Sequence, residues 1–337
     1  MKQLRKILFP FAGLYYMVTL LRNKAYDKGY FSYKEYQVPV ICVGNLNTGG
    51  TGKSPMTEYL IGLLKDHYKV ATLSRGYGRK TKGYFQVTSE SLAENVGDEP
   101  LQFARKFKDI IVSVCEDRQS GIGMLLQIDP PLETIILDDA YQHRKVKAGF
   151  QILLTAYDDL YTDDFLLPAG NLRESRKGAH RAQIIIVTKC PSDISQSVRN
   201  YIIKKINPLP FQKVYFTTIS YNTELMSNHC QLSISELKNK KFTLVTGIAN
   251  PKPLVGHLND LALDFEHKVY GDHHNFALSE IKALETCDFI VTTEKDYVRL
   301  FPLLEHKNLY YIPIEASFVE DKAMFDTQIL DFVKDFN

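Results

Sequence analysis

Residues 40–54 read Val-Ile-Cys-Val-Gly-Asn-Leu-Asn-Thr-Gly-Gly-Thr-Gly-Lys-Ser, a short apolar run that empties into a glycine-rich loop ending in Gly52, Lys53 and Ser54. Few local patterns constrain a fold so strongly. Such a loop works between a strand and a helix N-terminus: the glycines let successive backbone N–H groups turn inward on a phosphate, the lysine adds a charge, and the serine hydroxyl can ligate Mg²⁺. Residues 57–64 continue in a helical pattern, so the required context is present. Asn47, Thr48, Gly49, Gly50, Thr51, Gly52, Lys53 and Ser54 are therefore read as a nucleoside triphosphate cradle. Asn47 stands where the usual motif has its first glycine, and asparagine's tolerance of left-handed backbone is the expected reason that the loop still closes.

Strand-like runs recur at 70–73, 110–114, 134–137, 151–155 and 183–188, with helical segments such as 99–107 and 118–127 between them. This alternation predicts a mostly parallel sheet whose ligands collect beyond the carboxyl ends of the strands. The loops singled out by that rule are 47–54, 74–79, 115–118, 138–144 and the residues after Thr188. From residue 207 to about 240 the sequence turns extended and rich in Thr and Ser, and a second alternating unit follows at 242–246, 262–269, 289–292 and 309–312. A chain of 337 residues is long for one core and suits two. The expected organisation is an N-terminal helix over 1–28, a nucleotide-binding α/β domain over 29–206, an extended linker over 207–240 and a smaller α/β domain over 241–337.

Charge and cysteine content narrow the classes further. With 41 basic and 39 acidic residues the net charge is +2, too small for a global field that grips nucleic acid. The five cysteines are scattered without C-x-x-C spacing, which argues against a zinc site or a disulfide scaffold and suits a reducing compartment. Residues 7–21 form an apolar stretch shorter than the roughly twenty needed to span a bilayer. Lys2, Arg5 and Lys6 precede it, Arg22, Lys24 and Lys28 follow it, and Tyr15, Tyr16 and Tyr26 sit near its ends, the composition of a segment lying on an anionic leaflet. An ordinary domain-packing helix is the competing reading. No small-x-small cleavage site follows Leu21, so a signal peptide is disfavoured.

Several constellations carry chemistry. Residues 134–139 are an apolar strand ending in Asp138 and Asp139, where a carboxylate can hold Mg²⁺ against the Ser54 hydroxyl. In Val96-Gly97-Asp98-Glu99-Pro100 the two acids suit either a helix start or a general base. Residues 167–174 form a Pro/Gly loop ending in Arg173 and Glu174, followed by Arg176, Lys177, His180 and Arg181, which suits a solvated basic face or a clamp on an anion. The 270–276 segment holds His273 and His274 beside Asp272; without further Cys or His nearby, an acid–base role is preferred to a metal. Thr292-Thr293-Glu294-Lys295-Asp296 is another charged strand end, suited to nucleotide or interdomain contacts.

In order, NTGGTGKSP, SRGYGRK, VGDEP, EDR, DDAYQHR, LLPAGNLRE, DHHNF and TTEKD resemble the tetraacyldisaccharide 4'-kinases, the lipid A 4'-kinases of Gram-negative bacteria. The resemblance runs from the N-terminal apolar segment to about Asp296. It implies a P-loop-type α/β/α sandwich with a second, smaller α/β/α domain joined by an extended two-stranded linker. It also implies ATP- and Mg²⁺-dependent phosphorylation of the 4'-hydroxyl of a tetraacyl glucosamine disaccharide 1-phosphate, by a peripheral or monotopic enzyme at the cytoplasmic face of the inner membrane. The implied partners are ATP, the lipid A disaccharide precursor and an anionic membrane surface, with no nucleic acid. Carried over by motif, Asp98 is the catalytic base and His273 its partner, with His274 the second choice; Lys53 and Arg173 stabilise the transferred phosphoryl group, and Ser54 and Asp138 organise Mg²⁺. Glu99, Arg118, Asp139, Gln142, His143 and Glu174 follow as second-rank candidates. Two departures stand out: the family's DDGFQHR is DDAYQHR here, and an acid usual shortly afterwards is replaced near Ala148-Gly149-Phe150. The competing readings are a GTPase or metal-chaperone-like switch, weakened because Pro191 stands where a guanine-reading aspartate would follow Thr188-Lys189-Cys190, and a membrane-bound nucleotide sensor.

Overall fold

The computed structural model describes residues 8–228, 230–304 and 308–336. After helix α1 (Phe9–Asp27), the chain alternates through β1 (Val40–Asn45), α2 (Lys53–Leu64), β2 (Val70–Ser74), β3 (Phe85–Val87), α3 (Ala93–Val96), α4 (Asp98–Lys106), β4 (Ile111–Val114), α5 (Arg118–Leu125), β5 (Thr134–Asp138), β6 (Phe150–Ala156), β7 (Ile184–Thr188) and α6 (Gln196–Ile206). It then leaves this lobe along β8 (Lys213–Tyr221). The second lobe contains β9 (Glu224–Met226), β10 (Gln231–Ser233), β11 (Phe242–Thr246), α7 (Lys252–Asp260), β12 (Phe265–Val269), α8 (Leu278–Glu285), β13 (Ile290–Thr293), α9 (Glu294–Leu300) and β14 (Leu309–Ile312). Finally β15 (Ile314–Phe318) and α10 (Lys322–Phe336) return to the first lobe.

The apolar runs become strands because they are covered on both faces: every residue of β1, β2, β5 and β7 is buried. The larger sheet has nine strands in the order β15-β8-β7-β6-β1-β5-β2-β4-β3, and the smaller has six in the order β10-β9-β14-β13-β11-β12. In the larger sheet β1 pairs in parallel with β5 on one side and β6 on the other, so the chain changes direction around it. That is the topological switch point, where a crevice opens beyond the strand ends. Val43 pairs with Asp138, which sets the loop after β1 beside the carboxylates after β5. Helix α2 lays Met56, Leu60, Ile61 and Leu64 against the sheet, the one-sided spacing that a covering helix requires.

Two expected boundaries shift. Residues 314–336 do not stay with the second lobe: β15 pairs antiparallel with β8, and Phe325, Ile329 and Val333 of α10 are buried against Phe150, Ile152 and Ile184 of the first. A helical apolar stripe states that a helix covers a sheet, not which sheet it covers. Within 207–240, β8 belongs to the large sheet and β9 and β10 form an antiparallel pair at the edge of the small one, so little of that segment is free connector. The lobes are joined by the β8–β15 pair, in which Tyr221 faces Ile314.

Helix α1 carries Pro10 in its first turn, where a missing N–H is harmless, and stops where Gly29 takes φ +76°. Its inner face buries Ala12, Thr19 and Tyr26. Phe11, Leu14, Met17, Val18 and Leu21 face outward, each about 60% exposed. No described helix is long and apolar enough to cross a membrane. The flanking Lys2, Arg5 and Lys6 lie outside the described residues.

Candidate active site

The phosphate loop spans the end of β1 and the start of α2, with Gly52 at φ +77° immediately before Lys53. A side chain at Gly52 would be strained by that backbone angle, which is why glycine stands there. The 167–174 loop lies against the phosphate loop. The Thr48 N–H donates to the Asn171 carbonyl at 2.7 Å and the Arg173 N–H to that of Leu46 at 2.7 Å. On the other side, Lys189 Nζ donates to the Gly50 carbonyl at 2.5 Å and Thr188 Oγ1 to that of Thr51 at 2.9 Å. Asn47 is not left-handed, contrary to the expectation for this position. It is buried, forms a bridge with Leu172 and donates from its amide to Asp164 Oδ2 at 3.4 Å. Its polar side chain ties the two loops together, a role that a glycine cannot fill.

Charge concentrates at this strand end. The Arg173 guanidinium donates to Asp139 Oδ1 at 2.8 Å and Oδ2 at 3.4 Å, and also to the backbone and side-chain oxygens of Asn45. Lys53 Nζ lies 3.9 Å from the same Asp139. Burial works against the Asp139 carboxylate, but Lys53 and Arg173 outweigh it and hold its pKa below the usual range. Ser54 Oγ donates to Glu99 Oε1 at 3.1 Å, and Thr57 Oγ1 to Asp138 Oδ1 at 3.2 Å. Burial, then the charges of Glu99 and Asp139, push Asp138 up to about 7 despite Lys53 and Thr57. The Ser54 hydroxyl and the Asp138 carboxylate are hard-oxygen donors of the kind Mg²⁺ takes, and a divalent cation would relieve the negative charge crowded at Asp138; among the described residues no group of three or more carboxylate, histidine or cysteine side chains is gathered to hold a metal.

Asp98 begins α4 directly after Gly97, which has φ +92°. A Cβ at Gly97 would come within 3.1 Å of Gly76 Cα and 3.2 Å of the Tyr77 carbonyl, so the 74–79 loop packs backbone to backbone against the start of the helix. Across the interlobe gap, His273 Nδ1 lies 3.0 Å from Asp98 Oδ2, and Arg299 donates to the same oxygen from Nε at 2.9 Å and Nη2 at 2.6 Å. Burial opposes ionisation of Asp98, yet the hydrogen bonds from His273 and Arg299 prevail and hold it at about 2. His273 sits at φ +57°, with its N–H on the Gly247 carbonyl at 3.2 Å. His274 turns away to Glu280, at 2.8 Å.

The remaining candidates support the site from behind. Arg118 is fully buried and donates to the carbonyls of Cys115 at 2.7 Å and Asp138 at 3.3 Å. Gln142 donates to the Asn45 carbonyl at 2.9 Å and to Glu174 at 3.1 Å, while Glu174 is clasped by Arg181 through two 2.9 Å bonds. His143 is driven down to about 4, by burial first and then by Arg118 and Arg75. Of the departures from the family pattern, Tyr141 has a plain reason: its hydroxyl donates to the Gly178 carbonyl at 2.8 Å, a bond that phenylalanine lacks. Sequence reasoning missed Arg299. The available signal was its spacing, four residues after Lys295 in a helix-length segment, which puts both cations on one face.

Helix α1 reaches this site too. The Tyr15 hydroxyl donates to the Arg173 carbonyl at 2.8 Å, Arg22 to the Gln142 carbonyl at 2.9 Å and Asn23 to Glu174 at 3.0 Å.

A donor cradle at a sheet switch point, faced by a lobe that carries a histidine to an acid beside it, defines a two-lobed P-loop phosphotransferase. The family model LpxK, tetraacyldisaccharide-1-P 4'-kinase, matches residues 4–334, and the chain belongs to that family. It is 48% identical to the tetraacyldisaccharide 4'-kinase of Flavobacterium johnsoniae, over 99% of both chains. The corresponding protein of Bacteroides thetaiotaomicron is 42% identical, over 99% of this chain and 94% of the relative. The crystal structure of LpxK from Aquifex aeolicus in complex with ATP superposes with a TM-score of 0.79 at 29% identity, over 98% of this chain and 99% of that one. The fold and the enzyme class expected from the ordered motifs are those of this family: a kinase whose acceptor is a hydroxyl, not a GTPase switch or a sensor.

Proposed function

We propose that this kinase transfers the γ-phosphate of ATP to the 4'-hydroxyl of a tetraacyl glucosamine disaccharide 1-phosphate, with Asp98 as the base. The observation that carries this reading is the 3.0 Å contact between Asp98 and His273, because it joins an acid beside the donor cradle to a histidine of the other lobe. The backbone N–H groups of the loop before α2 and Lys53 hold the triphosphate, and Arg173 with Lys53 meets the charge that spreads over the equatorial oxygens in a loose transition state. Asp98 accepts the proton of the attacking hydroxyl while His273 orients it. Docking of the second lobe excludes water, which would otherwise compete as acceptor. Mg²⁺ held by Ser54 and Asp138, with Glu99 and Asp139 beside them, would neutralise phosphate charge when bound.

The acceptor's four acyl chains make its departure from a bilayer costly, at roughly 0.8 kcal/mol per exposed CH₂. The exposed apolar face of α1, on a helix tied to the loop carrying Arg173, supports docking at an anionic leaflet, at the cytoplasmic face of the inner membrane. Incubation with ATP, Mg²⁺ and the lipid acceptor in mixed micelles, with the product's phosphate located by ³¹P NMR, tests the reaction. Phosphate appearing at the 4'-position supports the reading; ATP hydrolysis with no phosphorylated lipid rejects it.

A further inference from the structure

The strand-end cluster Glu294-Lys295-Asp296 and the arginine beyond it have no part in nucleotide binding as described above. Two of these residues, Lys295 and Arg299, reach the acid–histidine pair instead. Thr293 caps α9 by accepting the Asp296 N–H at 3.1 Å and donating its hydroxyl to Asp296 Oδ2 at 2.7 Å. The same carboxylate oxygen accepts the Gly247 N–H at 2.8 Å, and the Gly247 carbonyl accepts the His273 N–H, so helix and histidine loop are tied together through Gly247. From this frame Lys295 and Arg299 project one helical turn apart. Lys295 Nζ lies 3.0 Å from His273 Nε2, and all three described contacts to Asp98 from the second lobe fall on Oδ2.

This geometry settles two choices. An ammonium is only a donor, so Nε2 of His273 must accept from Lys295, and the ring proton sits on Nδ1, where it points at Asp98. The close approach of Arg299 Nη2 to that Nδ1, at 3.1 Å, then follows because both groups donate to the same oxygen. With Oδ2 occupied, Oδ1 is the oxygen left to face an acceptor hydroxyl. We propose that Lys295 and Arg299 are positioning residues of the reaction: Lys295 fixes the His273 tautomer, and Arg299 turns Asp98 so that its free oxygen meets the acceptor, completing the base only when α9 is docked on α4. The inference rests on the reading of Asp98 as the base.

The titratable and charged groups around Asp98 are His273 and, behind it, Lys295, and Arg299 with Asp296 on its far side at 3.5 Å; Glu99 is the next residue on its own helix. Removing the arginine charge therefore leaves Asp98 easier to protonate, and the acid limb of the kcat/KM profile moves to higher pH. Arg299→Gln should lower kcat at least roughly tenfold with KM for ATP within about twofold, and Arg299→Lys should recover much of the loss and of the shift. Lys295→Met should lower kcat alone but add nothing in a His273→Ala background, as expected of residues acting as one unit. Arg105→Ala is the control for lobe docking: its guanidinium reaches the Val298 carbonyl at 3.5 Å, on the same helix pair and away from the dyad. It should leave the acid limb in place. Folded Arg299→Gln, checked by circular dichroism, with wild-type kcat and acid limb would overturn the proposal. So would a loss that lysine does not rescue and that leaves the limb unmoved. Full activity in Asp98→Asn would overturn the base reading itself, whereas an inactive Asp98→Asn beside a fully active Arg299→Gln removes only the role of α9.

Discussion

Gly97 shows how much the site depends on single backbone positions. Its φ of +92° and its contact with Gly76 deny it a side chain, and Asp98 is the next residue. Gly97→Ala is expected to destabilise the fold by about 1–3 kcal/mol and to displace the carboxylate. Calorimetry should show a lower Tm, and the kinase assay a kcat reduced by roughly tenfold or more with ATP affinity kept, since a small misplacement at the reacting groups costs that much. At this scale the sequence was informative where chemistry is local. Gly52, Lys53 and Ser54 could be read in place because their geometry needs only neighbours. Asn47 could not, because its partner Asp164 stands on a distant loop. Nor could the choice between His273 and His274, which turns on a left-handed residue and a contact across the lobes.

Two elements make separate predictions. Helix α1 leaves seven large hydrophobic side chains exposed, five of them to about 60%, and burying each of those five would contribute about 1.5–3 kcal/mol. Leu14→Ser with Met17→Ser and Leu21→Ser should therefore weaken binding to anionic vesicles strongly in a sedimentation assay, while Tm stays near that of the wild type. Unchanged vesicle binding would remove the membrane role of this face. The α4–α9 contact is the second case. Lys106 Nζ bridges Glu58 at 2.6 Å and Glu294 at 3.5 Å, two buried acids sharing one cation. Burial first, then the charge of Glu58, pushes Glu294 up to about 8 against the pull of Lys106. An acid with a raised pKa holds its proton in the folded state. Its contribution is complete below the ordinary carboxyl range and is lost as pH rises through about 8. Thermal melts between about pH 4.5 and pH 8 should show this contribution to Tm declining, and Glu294→Gln should flatten that decline. The elements of the nucleotide-binding half were legible from their apolar runs. The attachment of β15 and α10 to the first sheet was not, because an amphipathic pattern names a covered face and not its partner.

At the scale of the molecule, one lobe carries the phosphate loop and the other brings His273 and Arg299 to Asp98, the two being joined by two strands. This division explains why motifs on both sides of the linker had to be read together before they meant anything. A phosphate loop alone describes very many nucleotide-binding proteins; in the function proposed above, the acid at 98 and the histidine at 273, which meet at 3.0 Å, supply its acceptor half. The central claim is that phosphoryl transfer runs through Asp98 where the lobes meet. The most direct measurement compares wild type and Asp98→Ala for transfer of labelled γ-phosphate to the lipid acceptor, with ATP binding followed in parallel by calorimetry. The account predicts transfer reduced by roughly a hundredfold or more in the variant with ATP affinity retained. Transfer near the wild-type rate, or loss that merely tracks lost ATP binding, would contradict it.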